Sequence, residues 1–130
     1  MSNLAIVQNA YEAFGRGDIE GVVVALDPDI EWLEGEIEGL PYGGAHHGAQ
    51  AVVDEVFAQI PATYDSFALE PQEWVDGGDT VVMLGRVTIR KHDREATSRV
   101  AQVWTLRDGR AVRFESFQDS QATAHVLGLD

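Results

Sequence analysis

Four glutamates, Glu31, Glu34, Glu36 and Glu38, crowd a stretch that runs through several glycines to two adjacent histidines, His46 and His47. A carboxylate beside an imidazole becomes a proton-transfer pair when it is held out of water, because desolvation lifts the carboxyl pKa toward the range useful for proton abstraction. The same four acids also read as an ordinary solvated cluster. Neighbouring residues of an extended segment point to opposite sides, so only one of His46 and His47 easily faces a given cavity. His92 falls in a predicted turn and His125 in a predicted terminal helix. The histidines show neither His-x-His nor His-x-x-x-His spacing, which argues against a metal site. Cysteine is absent, which removes disulfides, thiolate nucleophiles and zinc–thiolate centres. Nearer the end, Asp119 precedes a short predicted helix, where an aspartate serves as an N-cap.

The elements that must position these groups follow from periodicity. Leu4, Val7, Tyr11 and Phe14 recur at helical spacing, with Ser2 or Asn3 as cap and Gly15 and Gly17 as stop. Asp18 caps a second, short helix carrying Ile19, Val22, Val23 and Leu26, which Asp27-Pro28-Asp29 ends. A short strand is expected over 30–33, and a glycine-rich loop over 34–48. Val52, Val53, Val56, Phe57 and Ile60 define a third helix that Pro61 is expected to end. The period then changes to that of strands, over about 64–75, 80–91, 97–107 and 111–118. Hairpin turns fall at Asp76-Gly77-Gly78-Asp79, around His92-Asp93-Arg94, and at Asp108-Gly109. Helices followed by a strand meander argue for a single α+β domain spanning residues 1–130. Its curved antiparallel sheet, about five strands with one early short one, wraps three helices around an internal apolar pocket.

Strand parity then selects a lining. Gln102 and Trp104 share a side with Val100 and Leu106, and on the last strand Phe114, Ser116 and Gln118 share another. Trp32, Tyr42 and Phe57 are expected to complete the pocket. Gln102, Ser116 and Gln118 among aromatic residues need partners, which a ligand or ordered water would supply. The opposite face carries Arg99, Ala101, Val103 and Thr105, a mixed small and apolar surface suited to contact with another protein.

Composition narrows the function classes. A net charge of −13, from 22 acids against nine bases, repels nucleic acid and anionic membrane surfaces. No apolar run approaches the length of a membrane span, and the Met1-Ser2-Asn3 start lacks a secretory pattern, so a cytoplasmic location is the default expectation.

Several phrases together resemble the nuclear-transport-factor-2-like superfamily, and within it the SnoaL-like group related to ketosteroid isomerase. They are Tyr11-Glu12-Ala13-Phe14-Gly15-Arg16-Gly17-Asp18, Asp27-Pro28-Asp29-Ile30-Glu31-Trp32, Leu40-Pro41-Tyr42-Gly43-Gly44-Ala45-His46-His47-Gly48 and Phe114-Glu115-Ser116-Phe117-Gln118-Asp119. The resemblance covers nearly the whole chain and implies a helix-filled cone with a pocket. By that likeness Glu34 falls where isomerase-like members carry their general base; His46 or His47 beside it is the expected acid–base partner on the residues themselves. The isomerase oxyanion donors map onto Ala10 and Gln102. Ala10 cannot donate, and Tyr11 lies about 100° round the helix, so steroid isomerisation is not expected. Asp119 matches an acid used by epoxide hydrolases and cyclases of the superfamily. Arg99 would be its partner, but Ala101 stands where the second acid belongs.

Three readings follow. The first is an enzyme without a cofactor, of isomerase, cyclase or dehydratase type, acting on a small, mostly apolar, carbonyl-bearing or polyketide-like molecule. The second is a non-catalytic binding or scaffold module, and the third, weaker, is an epoxide hydrolase. The resemblance also implies a homodimer through the outer sheet face. The location of Glu34, in the pocket within hydrogen-bond reach of a histidine or out in solvent, separates the first two readings.

Overall fold

The computed structural model describes all residues, 1–130. Ser2 caps α1 (Asn3–Gly15) by accepting from the Ala5 N–H, and Asp18 caps α2 (Ile19–Val23) by accepting from Gly21. Between them Gly17 takes a φ of 75°, a left-handed conformation that glycine adopts at no steric cost. Strand β1 (Leu26–Leu33) begins four residues earlier than the expected strand, because the ladder shifts register between Leu26 and Glu31 and so passes over Pro28.

The expected loop 34–48 contains a further short strand, β2 (Ala45–His47), antiparallel to β1. The third helix is a composite of α3 (Ala49–Val52), a wide π turn (Val53–Phe57) and α4 (Gln59–Thr63). It therefore runs past Pro61. That proline stands in the first turn of α4, where its missing N–H removes no bond.

Strands β3 (Ser66–Asp76), β4 (Thr80–Lys91), β5 (Arg94–Arg107) and β6 (Arg110–Gln118) form the expected meander, and α5 (Ser120–Leu127) closes the chain. The sheet has six strands rather than about five, in the order β2-β1-β6-β5-β4-β3. It is mixed, because β1 runs parallel to β6. The α+β class holds: a curved, unclosed sheet wraps the helices. Its concave side and the helices bury one continuous core that includes Val7, Ile30, Val56, Met83, Phe114 and Val126. No helix is long and apolar enough to cross a membrane.

Candidate functional site

A row of aromatic rings crosses the concave side of the sheet. The register places Trp32 of β1 beside Phe114 of β6, and Phe114 beside Trp104 of β5. Trp32 stacks on Phe114 with ring centres 3.7 Å apart, and meets Trp104 and Phe57 edge-on at 5.7 and 5.5 Å. One step further along the same face, Gln102 pairs with Ser116 across β5 and β6. Glu34, two residues after Trp32 and just beyond β1, continues that inward parity. Its backbone is fixed by donation to the Gly44 carbonyl at 2.9 Å, which extends the β1–β2 ladder by one rung.

These residues enclose a cavity of about 50 Å³ of water-accessible space. At roughly 10–15 Å³ per water it has room for a few molecules. Ala10, Tyr11 and Phe14 of α1, Val56 and Phe57 of the π turn, and Ile60 of α4 roof it. An adjoining outer groove of about 270 Å³, between the end of α1 and β3, shares Tyr11, Phe14, Phe67 and Leu69 with the cavity. The Phe14–Phe67 contact, with centres 6.2 Å apart, is therefore part of the wall that divides cavity from groove.

Of the four clustered glutamates, Glu31, Glu36 and Glu38 are exposed, and Glu34 alone turns into the cavity. Burial pushes its carboxyl up from the ordinary 4.5 to about 8, opposed in part by the neighbouring Trp32 indole N–H. Tyr11, Tyr42 and Tyr64 all lie close enough to feel its charge. Burial raises each of the three phenols above its usual value, and the Glu34 carboxylate adds to that rise.

A connected polar chain lies beside the carboxyl. The Trp104 indole donates to the Tyr11 hydroxyl at 2.9 Å, Tyr11 donates to the Gln102 amide oxygen, and the Gln102 amide nitrogen donates to Ser116 Oγ at 3.2 Å. Every buried polar atom in that chain has a partner. The one buried side-chain nitrogen or oxygen in the protein without a partner is Trp32 Nε1.

Residues 7–114 match the family described as the SnoaL-like domain. The chain belongs to the SnoaL-like family. Among solved structures, this SnoaL-like domain is similar to an NTF2-like protein of unknown function from Burkholderia pseudomallei K96243, with 32% identity, 98% of each chain covered and a TM-score of 0.90. TerC, solved with polyporic acid, is 30% identical over 97% of this chain and 98% of its own, with a TM-score of 0.89. An NTF2-like protein of Burkholderia thailandensis E264 is 30% identical over 97% of both chains, with a TM-score of 0.91. No curated protein matches.

Within the SnoaL-like domain, the expected lining residues Trp32, Phe57, Gln102, Trp104 and Phe114 do surround the cavity with Glu34. The other expected residues lie elsewhere. Tyr42 sits behind the cavity, its hydroxyl 2.7 Å from that of Tyr64. Ser116 is buried behind Gln102, and Gln118 donates to Thr123 of α5 at 3.1 Å. The polar groups expected to need a ligand are thus satisfied within the protein.

His46 is buried, but both of its ring nitrogens face acceptors away from Glu34: Glu55 Oε1 at 2.8 Å and the Tyr42 carbonyl at 3.0 Å. It ties β2 to the third helix and has no nitrogen left for Glu34. His47 is exposed, as strand alternation requires. Asp119 is exposed and caps α5 by accepting from the Ala122 N–H at 3.0 Å. Arg99 is exposed on the outer face of the sheet, in a groove with Phe117 and Ala101. The acid–arginine pair of an epoxide hydrolase is therefore not assembled in the cavity.

Sequence reasoning missed Tyr11. Ala10 does line the cavity, but so does Tyr11, whose long phenol spans the 100° offset and reaches strand β5. The signal was present in the apolar stripe Leu4, Val7, Tyr11 and Phe14, which already set Tyr11 on the core side.

Proposed function

We propose that this SnoaL-like domain binds a small, mostly apolar, carbonyl-bearing molecule in the cavity, and that Glu34 removes a proton from the carbon next to the carbonyl. The reaction class is isomerase, cyclase or dehydratase, without a cofactor. The observation that carries this reading is a single carboxylate in an aromatic cavity, with its pKa raised by burial to about 8. Such a group is a stronger base than an ordinary glutamate, at the expense of being mostly protonated at neutral pH. The co-crystallisation of the relative TerC with polyporic acid supports a small-molecule ligand. A non-catalytic binding module of the same fold is the second reading, favoured by the small cavity and by the absence of a histidine partner for Glu34.

Hydrogen exchange of a simple ketone tests the choice. Acetophenone incubated with the protein in D2O is expected to lose its methyl proton signal faster than in buffer, with a rate that climbs through about pH 8 as Glu34 ionises. Glu34→Gln should abolish the acceleration. Bound ketone with no accelerated exchange would leave the binding module as the answer.

The outer sheet face fits a second copy of the chain. Val75 and Phe117 are 50% and 52% exposed there, with Val82, Leu84, Ala101 and Val103 between them in register. Arg86 lies opposite Glu70 and beside Arg99 on a face that also carries Glu73, so a two-fold axis can match opposite charges. Sedimentation equilibrium should show a dimer, and a monomer at all concentrations would refute the pairing.

A further inference from the structure

We propose that the indole N–H of Trp32 is the group that receives the ligand's carbonyl oxygen, beside the Glu34 carboxyl. The inference deepens the reading above, since it rests on the cavity taking a carbonyl ligand. It adds a donor that the resemblance does not assign.

Tyr11 and Trp104 would otherwise be the natural donors over the cavity, yet each spends its one polar hydrogen within the protein, and Gln102 commits an amide N–H to Ser116. Tyr42 and Tyr64 bond to each other through their hydroxyls and do not line the cavity. Trp32 is 4% exposed and lines the cavity, and its Nε1 has no partner. Its N–H lies beside the Glu34 carboxyl, close enough to favour the charged form, without reaching hydrogen-bond geometry.

An unpaired buried N–H is destabilising, and proteins rarely keep one without reason. Here the ring has little freedom to relieve it: Trp32 is stacked on Phe114 and bounded edge-on by Phe57 and Trp104. The donor is therefore pre-aimed, and a ligand oxygen placed against it recovers a bond that the folded chain lacks.

Two features define the ligand class. Val22, Val56, Phe57 and Ile60 offer only apolar surface to the ligand body. At the other end, Trp32 and Glu34 sit side by side, so one oxygen meets the indole N–H and the carboxyl together. With Glu34 protonated, that oxygen accepts two hydrogen bonds. With Glu34 ionised, the indole holds the oxygen while the carboxylate faces the adjacent carbon. A neutral ketone or related carbonyl on an aromatic or alicyclic body matches these groups in chemistry. A dianion does not, because it would meet the carboxylate.

The test compares acetophenone with 2-phenylpropene, which has the same shape and lacks the carbonyl oxygen, by ligand-observed NMR titration. In the wild-type protein the Trp32 indole proton should move downfield with the ketone and stay in place with the alkene. Trp32→Phe should weaken ketone binding relative to alkene binding roughly five- to tenfold, the size of one recovered hydrogen bond. Replacement of Trp32 by β-3-benzothienylalanine, which keeps the ring shape and lacks the N–H, should do the same and separates hydrogen bonding from packing. An unchanged ketone-to-alkene ratio in both variants overturns the proposal, as does failure of the ketone to bind the wild type. Glu34→Gln is expected to keep the wild-type ratio while losing proton exchange. A wild type that binds the ketone through Trp32 without exchanging it would overturn only the role of Glu34 as base.

Discussion

Replacing Glu34 by glutamine removes a proton site that the native and unfolded chains hold with different strength. In the unfolded chain it titrates near 4.5, and in the folded chain near 8. Between those values the native state keeps a proton that the unfolded state has released, so stability falls as pH rises. One proton contributes about 1.4 kcal/mol per pH unit, which over the whole interval caps the effect at about 5 kcal/mol. Glu34 is only half-buried as a residue and its carboxyl faces a cavity with room for water, so about 2–3 kcal/mol is the expected size. Urea unfolding of wild type and Glu34→Gln at pH 5.5, 7 and 8.5 measures it, with the two proteins compared at each pH. The stability difference should swing by about 2–3 kcal/mol in favour of the variant as pH rises, with little change in m. Asp65 and Asp130 have lowered pKa values. Any stability they contribute is lost only as pH falls through those values, below this window, and it cancels in the comparison. Parallel stability curves across the window would mean that Glu34 is not desolvated, and the proton-transfer reading would fall with it.

Four further variants test the local packing and hydrogen bonding. Tyr11→Phe strands the Gln102 amide oxygen and the Trp104 indole N–H, and should cost about 2–4 kcal/mol in denaturant titration. A cost near zero would show that those two groups bond equally well without Tyr11. Asp119→Ala should cost about 1 kcal/mol through the lost cap of α5, while ketone binding and exchange stay at wild-type levels. A loss of exchange in that variant would return Asp119 to the chemistry. Gly85→Ala drives a Cβ into the Glu70 carbonyl oxygen on the neighbouring strand, and should cost several kcal/mol or prevent folding. Gly15→Ala, with open space around it at the end of α1, should change stability by no more than about 1 kcal/mol, and thermal melts of the pair check both.

The sequence by itself determined the features set by near neighbours. The caps at Ser2, Asp18 and Asp119, the turn at Asp108-Gly109 with φ of 53° and 77°, and the shared inward face of Gln102 and Trp104 all follow from geometry within a few residues. The parity that turns Glu34 inward is written in Ile30-Glu31-Trp32-Leu33 as well, since alternate residues of one strand share a side.

Only the tertiary structure decided the rest. It laid β1 parallel to β6, which brought Trp32 against Phe114 across 82 positions of chain. It joined Tyr11 to Gln102 and Trp104, 91 and 93 residues away, and so closed the polar chain that the pattern had left open. It gave His46 to Glu55 and the Tyr42 carbonyl, and so kept it from Glu34. Four glutamates of one type in one short stretch are equivalent to a reader of the sequence. Their difference is desolvation, which depends on what the folded chain stacks over each, and here α1 and the π turn close over Glu34 alone.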